Sequence, residues 1–363
     1  MEVLGKHIPS PETVGRVLAN LARPEKEKQP LVVAFYLTFG CNARCDFCSQ
    51  GEYVYGEQKG RYNGDIEVGK QLDVLRAIRR DVPNIYFVGG EPTVYPGFER
   101  ILQESDDLGF DTIGVNTNGL LFKPEILRLA SMLVVSLHSM DPAKIASVYR
   151  VAPKWGVQAL DNIKRYANER DSQVQMTINC VVTGDNIDDV YEIAEFCREL
   201  GIQLNIAPAI LDGGKPDPRL VGNPDYHRLI DYLMSQNGLM SASRAYLQIV
   251  RDFEPFACTP HVVPGVHPNG DMVVPCPNLP EGQEMINVLE AGGVNEALRI
   301  GRAKFEEKHG ILDTRRRCAE MCHKTCYVEA TGVSTVEGLV RMARGRFASL
   351  PNNGYEKQAL KAK

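Results

Sequence analysis

The sequence predicts an α/β fold in which helices surround a parallel sheet, followed by a smaller C-terminal domain. Two observations support this. Six short apolar runs alternate with segments of helical periodicity, and the alternation stops near residue 215. Apolar strands separated by amphipathic helices are typical of parallel βαβ units. Six such units suit a closed or partly closed barrel, in which chemistry lies on the loops that follow the strands.

The predicted elements follow one another in a regular order. A helix over 10–23, which Ser10 can cap, comes first and is followed by a charged linker. Strands are predicted at 31–37, 84–88, 111–115, 132–137, 174–182 and 202–207. Helices are predicted between them at 66–80, 97–108, 124–130, 156–169 and 187–199. Each strand is therefore expected to deliver a loop to the same end of the barrel.

The C-terminal part has a different composition, rich in proline, cysteine and glycine. Residues 267–270, His-Pro-Asn-Gly, predict a type I′ hairpin turn between strands at 261–266 and 271–274. Further helices are predicted at 225–235, 296–308 and 334–345. We therefore divide the chain into an N-terminal helix and linker, a barrel, a small cysteine-rich domain and a tail, with the bounds 1–29, 30–215, 216–345 and 346–363.

Composition limits the classes of partner. Of the 363 residues, 44% are hydrophobic and 24% are charged, as in ordinary globular proteins. The formal net charge of −5 provides no basic field that would attract nucleic acid. The N-terminal residues lack the apolar core of a signal peptide, and no apolar run approaches the length of a membrane span. We therefore expect a cytoplasmic protein without nucleic-acid or membrane partners.

Three cysteines directly follow the first predicted strand. Cys41, Cys45 and Cys48 have the spacing Cys-x3-Cys-x2-Cys. Three soft thiolates in one loop favour iron–sulfur ligation. They would leave one iron of a [4Fe–4S] cluster without a protein ligand, as a catalytic metal centre requires. Zinc is the alternative, but zinc prefers four ligands and no second pair follows nearby.

This motif, with the aromatic residue Phe47 before its last cysteine, resembles the signature of the radical SAM superfamily. The sequence GGEP at 89–92 follows the second predicted strand and resembles a second motif of that family. The sequence TNG at 117–119 follows the third strand, as it often does in that family. The resemblance covers about residues 30–210 and implies a partial (β/α)6 TIM-like barrel with a C-terminal iron–sulfur domain.

The resemblance also implies cofactors and their binding residues. The first three cysteines would hold the [4Fe–4S] cluster that binds S-adenosylmethionine (SAM). Glu91 and its backbone would receive the methionine amino group, while Ser136 and Asn179 would contact the ribose and carboxylate. Independently of the family, Gly89 and Gly90 can adopt positive φ and let a ligand approach the backbone. The full set of implied cofactor-binding residues is Phe47, Gly89, Gly90, Glu91, Pro92, Asn118, Ser136 and Asn179.

The resemblance implies the activity that is typical of the radical SAM superfamily. The reduced cluster passes one electron to the SAM sulfonium, and the resulting 5′-deoxyadenosyl radical abstracts a hydrogen atom from the substrate. Such an enzyme needs an electron donor resembling flavodoxin or ferredoxin. The outcome would be dehydrogenation, epimerisation or bond formation in natural-product or cofactor biosynthesis.

A second group of cysteines lies in the C-terminal part. Clustered cysteines in a reducing compartment usually bind metal. We expect an auxiliary [4Fe–4S] cluster that accepts an electron from the substrate, with structural zinc as the alternative. The group resembles the SPASM and twitch extensions of radical SAM enzymes, although it has five cysteines and not the seven of a full SPASM pattern. One of the last three would be spare, and it would either be structural or donate a hydrogen atom to a substrate radical, as in radical epimerases. The proposed ligands are Cys258, Cys276, Cys318, Cys322 and Cys326, whereas Cys180 and Cys197 are interpreted as structural thiols.

Candidates for catalysis follow the fourth strand. His138 and Tyr149 are candidates to face the substrate, as are Asp141 and Arg150. Asp141 is alternatively the N-cap of a helix that has Pro142 as its first residue.

A small-molecule substrate is the leading hypothesis for the enzyme. Residues 1–29 are too short for the recognition domain that peptide-modifying relatives often carry, so a peptide maturase is the alternative. A non-catalytic iron–sulfur electron-transfer protein is the second alternative, but it does not explain the GGEP motif. A molybdopterin-pathway cyclase is disfavoured, because such an enzyme would have a C-terminal cysteine spacing different from the one in this sequence.

Overall fold

The structure is a computed structural model, and the part of the chain that it describes is built on one nine-stranded sheet. It describes residues 10–24, 27–48, 50–54, 56, 66–211, 214–256, 258–276, 279, 283–311 and 322–323. The strands are β1 (Val33–Thr38), β2 (Asn84–Gly89), β3 (Thr112–Thr117), β4 (Met132–Ser136), β5 (Gln175–Val182), β6 (Gln203–Pro208), β7 (Gly265–Val266), β8 (Asp271–Val274) and β9 (Glu284–Asn287). The helices are α1 (Pro11–Ala22), α2 (Gly51–Val54), α3 (Val68–Asp81), α4 (Phe98–Asp107), α5 (Pro124–Leu129), α6 (Pro142–Tyr149), α7 (Lys154–Glu169), α8 (Asp189–Leu200), α9 (Pro224–Ser235), α10 (Arg244–Asp252), α11 (Val288–Ala291) and α12 (Val294–His309).

Strands β1 to β6 are parallel and lie side by side in chain order. The second neighbour of β1 is β7, and not β6, so the six-stranded part does not close on itself. This confirms the predicted partial (β/α)6 barrel and selects it over the closed one. All six predicted strands are present, with ends that differ from the prediction by one or two residues.

The two faces of the parallel sheet differ in composition. One face carries Phe35, Phe87 and Val115, all fully buried against neighbouring elements. The opposite face, called the inner face below, carries partly exposed residues such as Tyr36 and Asn179. Alternation of this kind along β1 follows from the two-residue period of a strand. The inner face is therefore the side of the sheet on which polar groups are available to a ligand.

The C-terminal hairpin differs from the prediction in its turn. The Gly270 N–H donates to the His267 carbonyl at 2.9 Å, which closes a turn over residues 267–270. Gly270 has φ 93°, whereas Asn269 is not among the residues with positive φ, so the predicted type I′ turn is wrong. Proline favours the second position of a type I turn, and a glycine with positive φ then completes a three-residue hairpin loop. The strand predicted over 261–266 is also shorter, because Pro260–Val262 form a 3-10 turn.

Helix α12 covers β8 and β9 from one side. A Cβ atom at Gly301 would lie 2.6 Å from Val274 Cβ, so only glycine allows the helix to approach the strand this closely. The beginning of α12 is held by α3, because Asn295 N–H donates to Asp81 Oδ2 at 2.9 Å. Helices α2, α10 and α11 and strand β9 were not predicted, whereas α6 is the helix expected in the alternative that makes Asp141 an N-cap. The helix predicted at 334–345 lies outside the described residues. In the described part of the chain, no helix is both long and apolar enough to cross a bilayer.

We expect Gly301→Ala to lower the free energy of unfolding by about 1–3 kcal/mol, because its methyl group overlaps β8. Glycine-to-alanine changes inside helices normally stabilise the protein by up to about 1 kcal/mol. The sign of the change in unfolding free energy therefore tests whether α12 packs this closely on β8. Gly15→Ala is the matched control, since a Cβ atom there meets nothing within 4 Å. Urea unfolding of the apoprotein measures both, and stabilisation by both variants would contradict the close contact.

Candidate functional site

The first three cysteines lie in an irregular loop at the C-terminal end of β1, called the cysteine loop (residues 39–48) below. All three side chains are half-buried. Burial raises the pKa of Cys41 to about 11 and that of Cys45 to about 12, and the neighbouring thiols add to the effect. The thiols therefore need a cationic partner before they lose their protons together.

This donor set fits a [4Fe–4S] cluster. Among the described residues, no group of three His, Cys, Asp or Glu side chains is placed to hold a single metal ion. A four-iron cluster instead binds each thiolate through a different iron, so its ligands stand further apart. Cys41, Cys45 and Cys48 lie close enough for each to influence another's pKa, and they share one loop. These residues would hold such a cluster.

The turn after β2 forms hydrogen bonds with the backbone at the start of the cysteine loop. Gly90 N–H donates to the Thr38 carbonyl at 2.7 Å, and Glu91 N–H donates to the Gly40 carbonyl at 2.8 Å. A Cβ atom at Gly89 or Gly90 would lie 2.2 Å from a backbone oxygen of residues 38–40. The sequence predicted a close approach to these glycines by a ligand. In the structure the approaching group is the chain's own backbone, and only Gly89 has positive φ.

The Glu91 carboxylate lies at the junction of three strand ends and is 1% exposed. Its Oε1 accepts from Thr93 Oγ1 at 2.7 Å and from Thr117 Oγ1 at 2.8 Å. Its Oε2 accepts from Asn118 N–H at 2.7 Å, and Thr93 N–H donates to Oε1 at 3.2 Å. Burial raises the pKa of Glu91, and these four donors oppose that rise. Glu91 thus ties the ends of β2 and β3 together while its backbone holds the cysteine loop.

The cysteine loop is also held by residues that the motifs do not contain. Asn118 Nδ2 donates to Asn42 Oδ1 at 2.7 Å, which links the TNG segment to the loop between the first two cysteines. On the other side, Phe47 packs edge-to-face against His138, with ring centroids 4.9 Å apart. Asn42 was not singled out in the sequence, because its partner lies 76 positions away.

The candidates for catalysis after β4 occupy buried or structural positions. His138 and Tyr149 are 4% and 1% exposed. Desolvation lowers the pKa of His138 to about 4, so its ring is neutral near pH 7. Asp141 is the N-cap of α6, since its Oδ1 accepts from Ala143 N–H at 2.8 Å with Pro142 next in the chain. That observation selects the capping alternative over a role for Asp141 in facing the substrate.

A row of polar side chains crosses the inner face from the C-terminal end of β4 to the middle of β5 and β6. Ser136 is paired with Asn179 in the register of β4 and β5, and Asn179 is paired with Asn205 of β6. Asn205 Nδ2 donates to Asn179 Oδ1 at 2.9 Å. The sequence suggested Ser136 and Asn179 but missed Asn205, which only the strand register brings beside them.

Asn116 is a second inner-face residue that the sequence did not reveal. It lies on β3, next to Thr117, and its Oδ1 atom is buried. No described residue donates a hydrogen bond to that atom. A buried acceptor without a donor costs about 1–3 kcal/mol, so the position favours a ligand or water that supplies one.

The C-terminal cysteines are only partly described. Cys258 and Cys276 are buried, at 6% and 8% exposure. Cys322 lies against Gly214, where a Cβ atom would stand 2.7 Å from its Sγ. Cys318 and Cys326 lie outside the described residues. Cys180 and Cys197 are fully buried in the main core.

We expect Glu91→Gln to lower the free energy of unfolding by about 2–3 kcal/mol, because an NH2 group replaces an acceptor that faces N–H or O–H donors. Urea unfolding of the apoprotein measures the loss. Glu99→Gln is the control, since that side chain is 68% exposed and its ion pair with Arg128 spans 3.5 Å. Equal small effects of both changes would contradict the junction role of Glu91.

We expect Asn116→Leu to raise the free energy of unfolding by about 1 kcal/mol, because it removes a buried acceptor that lacks a donor. Asn205→Leu should have the opposite sign, since it breaks the hydrogen bond to Asn179. Parallel urea titrations of the two apoproteins compare them. Destabilisation by Asn116→Leu would mean that its amide is already satisfied within the chain.

Comparisons with known proteins agree with this geometry. The tungsten-containing aldehyde ferredoxin oxidoreductase cofactor-modifying protein of Pyrococcus furiosus is 28% identical over 221 residues, which are 56% of this chain and 59% of that protein. The GTP 3′,8-cyclase of Aquifex aeolicus is 27% identical over 195 residues, or 52% of this chain and 58% of that protein. The chain thus spans less than two thirds of the length of either relative.

A solved structure shows the same fold. Streptococcus suis SuiB, in its crystal structure bound to S-adenosylmethionine, aligns with a TM-score of 0.55 and 20% identity over 77% of this chain and 68% of that one. A family model described as the radical SAM superfamily matches residues 35–197, from β1 to α8. The match, the parallel partial barrel and the cysteine loop at the end of β1 together identify residues 35–197 as a radical SAM domain.

Proposed function

We propose that this chain is an enzyme that cleaves SAM reductively and uses the resulting 5′-deoxyadenosyl radical to abstract hydrogen from a small molecule. One observation carries the proposal. The cysteine loop, which carries Cys41, Cys45 and Cys48, is hydrogen-bonded to the GGEP turn at the C-terminal edge of a partial barrel. Membership of residues 35–197 in the radical SAM superfamily supports it.

The chain's own residues would prepare the site. A [4Fe–4S] cluster bound there supplies the open iron that takes SAM and the electron that cleaves it. Glu91 fixes the relative positions of the strand ends around the loop, and the backbone of the GGEP turn lies beside it. Ser136 and Asn179 offer polar groups on the inner face for the ribose and carboxylate of SAM. Phe47, beside the last cysteine, offers an apolar surface.

We further propose an auxiliary [4Fe–4S] cluster in the C-terminal part. Support comes from contacts of His323, the residue after Cys322, with a residue close to Cys258 in the chain. His323 N–H donates to the Gly214 carbonyl at 2.9 Å, and the His323 ring contacts Phe256, two residues before Cys258, at 6.1 Å between centroids. With Cys276, Cys318 and Cys326, five thiols are available for four ligand positions, and one of Cys318, Cys322 and Cys326 would remain spare.

A small-molecule substrate is favoured over a peptide. The two relatives are named as a cofactor-modifying protein and as a cyclase of GTP, and both names describe chemistry on small molecules. Asn116 and the amides of Asn179 and Asn205 give the inner face hydrogen-bonding groups that suit a polar compound. A reduced cluster and free thiols both require reducing conditions, so we place the enzyme in the cytoplasm with a flavodoxin- or ferredoxin-like donor.

The two sets of cysteines should be separable by iron content. After anaerobic reconstitution, we expect about eight irons per wild-type chain, as two [4Fe–4S] clusters require. Replacing Cys41, Cys45 and Cys48 by alanine should leave about four irons and abolish 5′-deoxyadenosine formation from SAM with dithionite. Replacing Cys258 and Cys276 by serine should also leave about four irons but retain SAM cleavage. Iron assay and chromatography of the nucleoside measure these outcomes.

The matched control is Cys197→Ala, since that thiol is fully buried in the main core on α8 and should not change iron content. Continued SAM cleavage by the triple alanine variant would contradict the proposed site. Zinc at the C-terminal cysteines would contradict the auxiliary cluster alone. Iron binding without any 5′-deoxyadenosine would instead favour a non-catalytic electron-transfer protein.

A further inference from the structure

The segment that follows β4 and contains α6 contacts the cysteine loop at Arg44, Asp46 and Phe47. The Tyr149 carbonyl accepts from Arg44 N–H at 3.0 Å. Arg150 forms an ion pair with Asp46. Phe47 packs edge-to-face on His138, at an interplanar angle of 81°. These three contacts involve the residues on either side of Cys45, in a loop without regular secondary structure.

The supporting residues are themselves fixed on their far side. His138 is buried, and its Nδ1 accepts from the Val181 N–H of β5 at 3.1 Å. The Tyr149 hydroxyl donates to the Ser136 carbonyl at 2.7 Å, which ties the last turn of α6 to the end of β4. The rings of His138 and Tyr149 meet edge-to-face with centroids 5.8 Å apart. His138 and Tyr149 are therefore fixed by β4 and β5 where they face the cysteine loop.

Arg150 adds an independent observation. It ends α6 with φ 51° and ψ 51°, in the left-handed region that non-glycine residues rarely occupy. Such a conformation costs about 1 kcal/mol and persists only where the surroundings hold it. Here it accompanies the ion pair between Arg150 and Asp46. The Arg150 N–H also donates to the Ala146 and Ser147 carbonyls, so the left-handed residue closes the last turn of α6.

We infer that His138 is a positioning residue for the iron-binding loop and that it acts through Phe47. This inference rests on the proposed function. The edge of the imidazole meets the Phe47 ring, and Phe47 is joined directly to Cys48. Holding Phe47 fixes the backbone from which Cys45 and Cys48 project before iron arrives. Side chains that orient metal ligands in this way commonly change metal retention by an order of magnitude or more.

Two substitutions separate the ring of His138 from its hydrogen bond. His138→Phe keeps an aromatic ring against Phe47 but leaves the Val181 N–H without its acceptor. His138→Gln can keep an acceptor for that N–H but removes the ring contact. We expect H138F to lose stability and to retain iron, and we expect H138Q to remain near wild-type stability while it releases iron faster.

The readouts are the melting temperature of each apoprotein and the rate at which bathophenanthroline removes iron from the reconstituted full chain. The variant lacking Cys41, Cys45 and Cys48 defines the release from other sites, which is subtracted. We expect release from the first site to be about tenfold faster in H138Q and unchanged in H138F. Wild-type release in H138Q, or acceleration in both variants in proportion to lost stability, would overturn the inference. A wild-type chain that binds no iron would instead overturn the proposed function.

Discussion

The buried carboxylate of Glu91 is the constraint on which the site depends. Its two oxygens take four hydrogen bonds, two of them from the end of β3, while its N–H holds the backbone at Gly40. Parallel strands have no hairpins to fix their ends, so loops at this edge need such cross-links. Because one residue serves β1, β2 and β3, the cysteine loop, the GGEP turn and the TNG segment form one structural unit.

The cysteine loop is supported from two sides that have different chemistry. On one side the contacts are hydrogen bonds to backbone and amide groups, from Gly90, Glu91 and Asn118. On the other side they are mainly aromatic and ionic, from His138 and Arg150, with one hydrogen bond from Arg44 N–H to the Tyr149 carbonyl. The thiols thus stand in a frame that is set by the fold, so the loop would lose little conformational entropy on binding a cluster.

Local patterns in the sequence predicted the barrel and its motifs, because apolar runs and cysteine spacing are properties of neighbouring residues. The same patterns could not show that Gly90 meets the chain's own Gly40, since that contact depends on the pairing of β1 with β2. Asn205 and Asn116 were missed for a similar reason: their significance arises from strand register and from an absent donor. The sequence made His138 a candidate to face the substrate, but its burial and its hydrogen bond with Val181 N–H depend on contacts with β5 that no local pattern shows.

The pairing of β7 with β1 has a consequence for how the protein can be handled. Without β7, the strand that leads into Cys41 would present unpaired N–H and C=O groups along an apolar edge, which invites association between chains. The hairpin turn also places His267 against Phe39, with centroids 5.4 Å apart. A fragment cut after β6 would therefore expose this edge of β1 and lose the His267 contact at the start of the cysteine loop, so the barrel and the C-terminal part are best expressed as one chain.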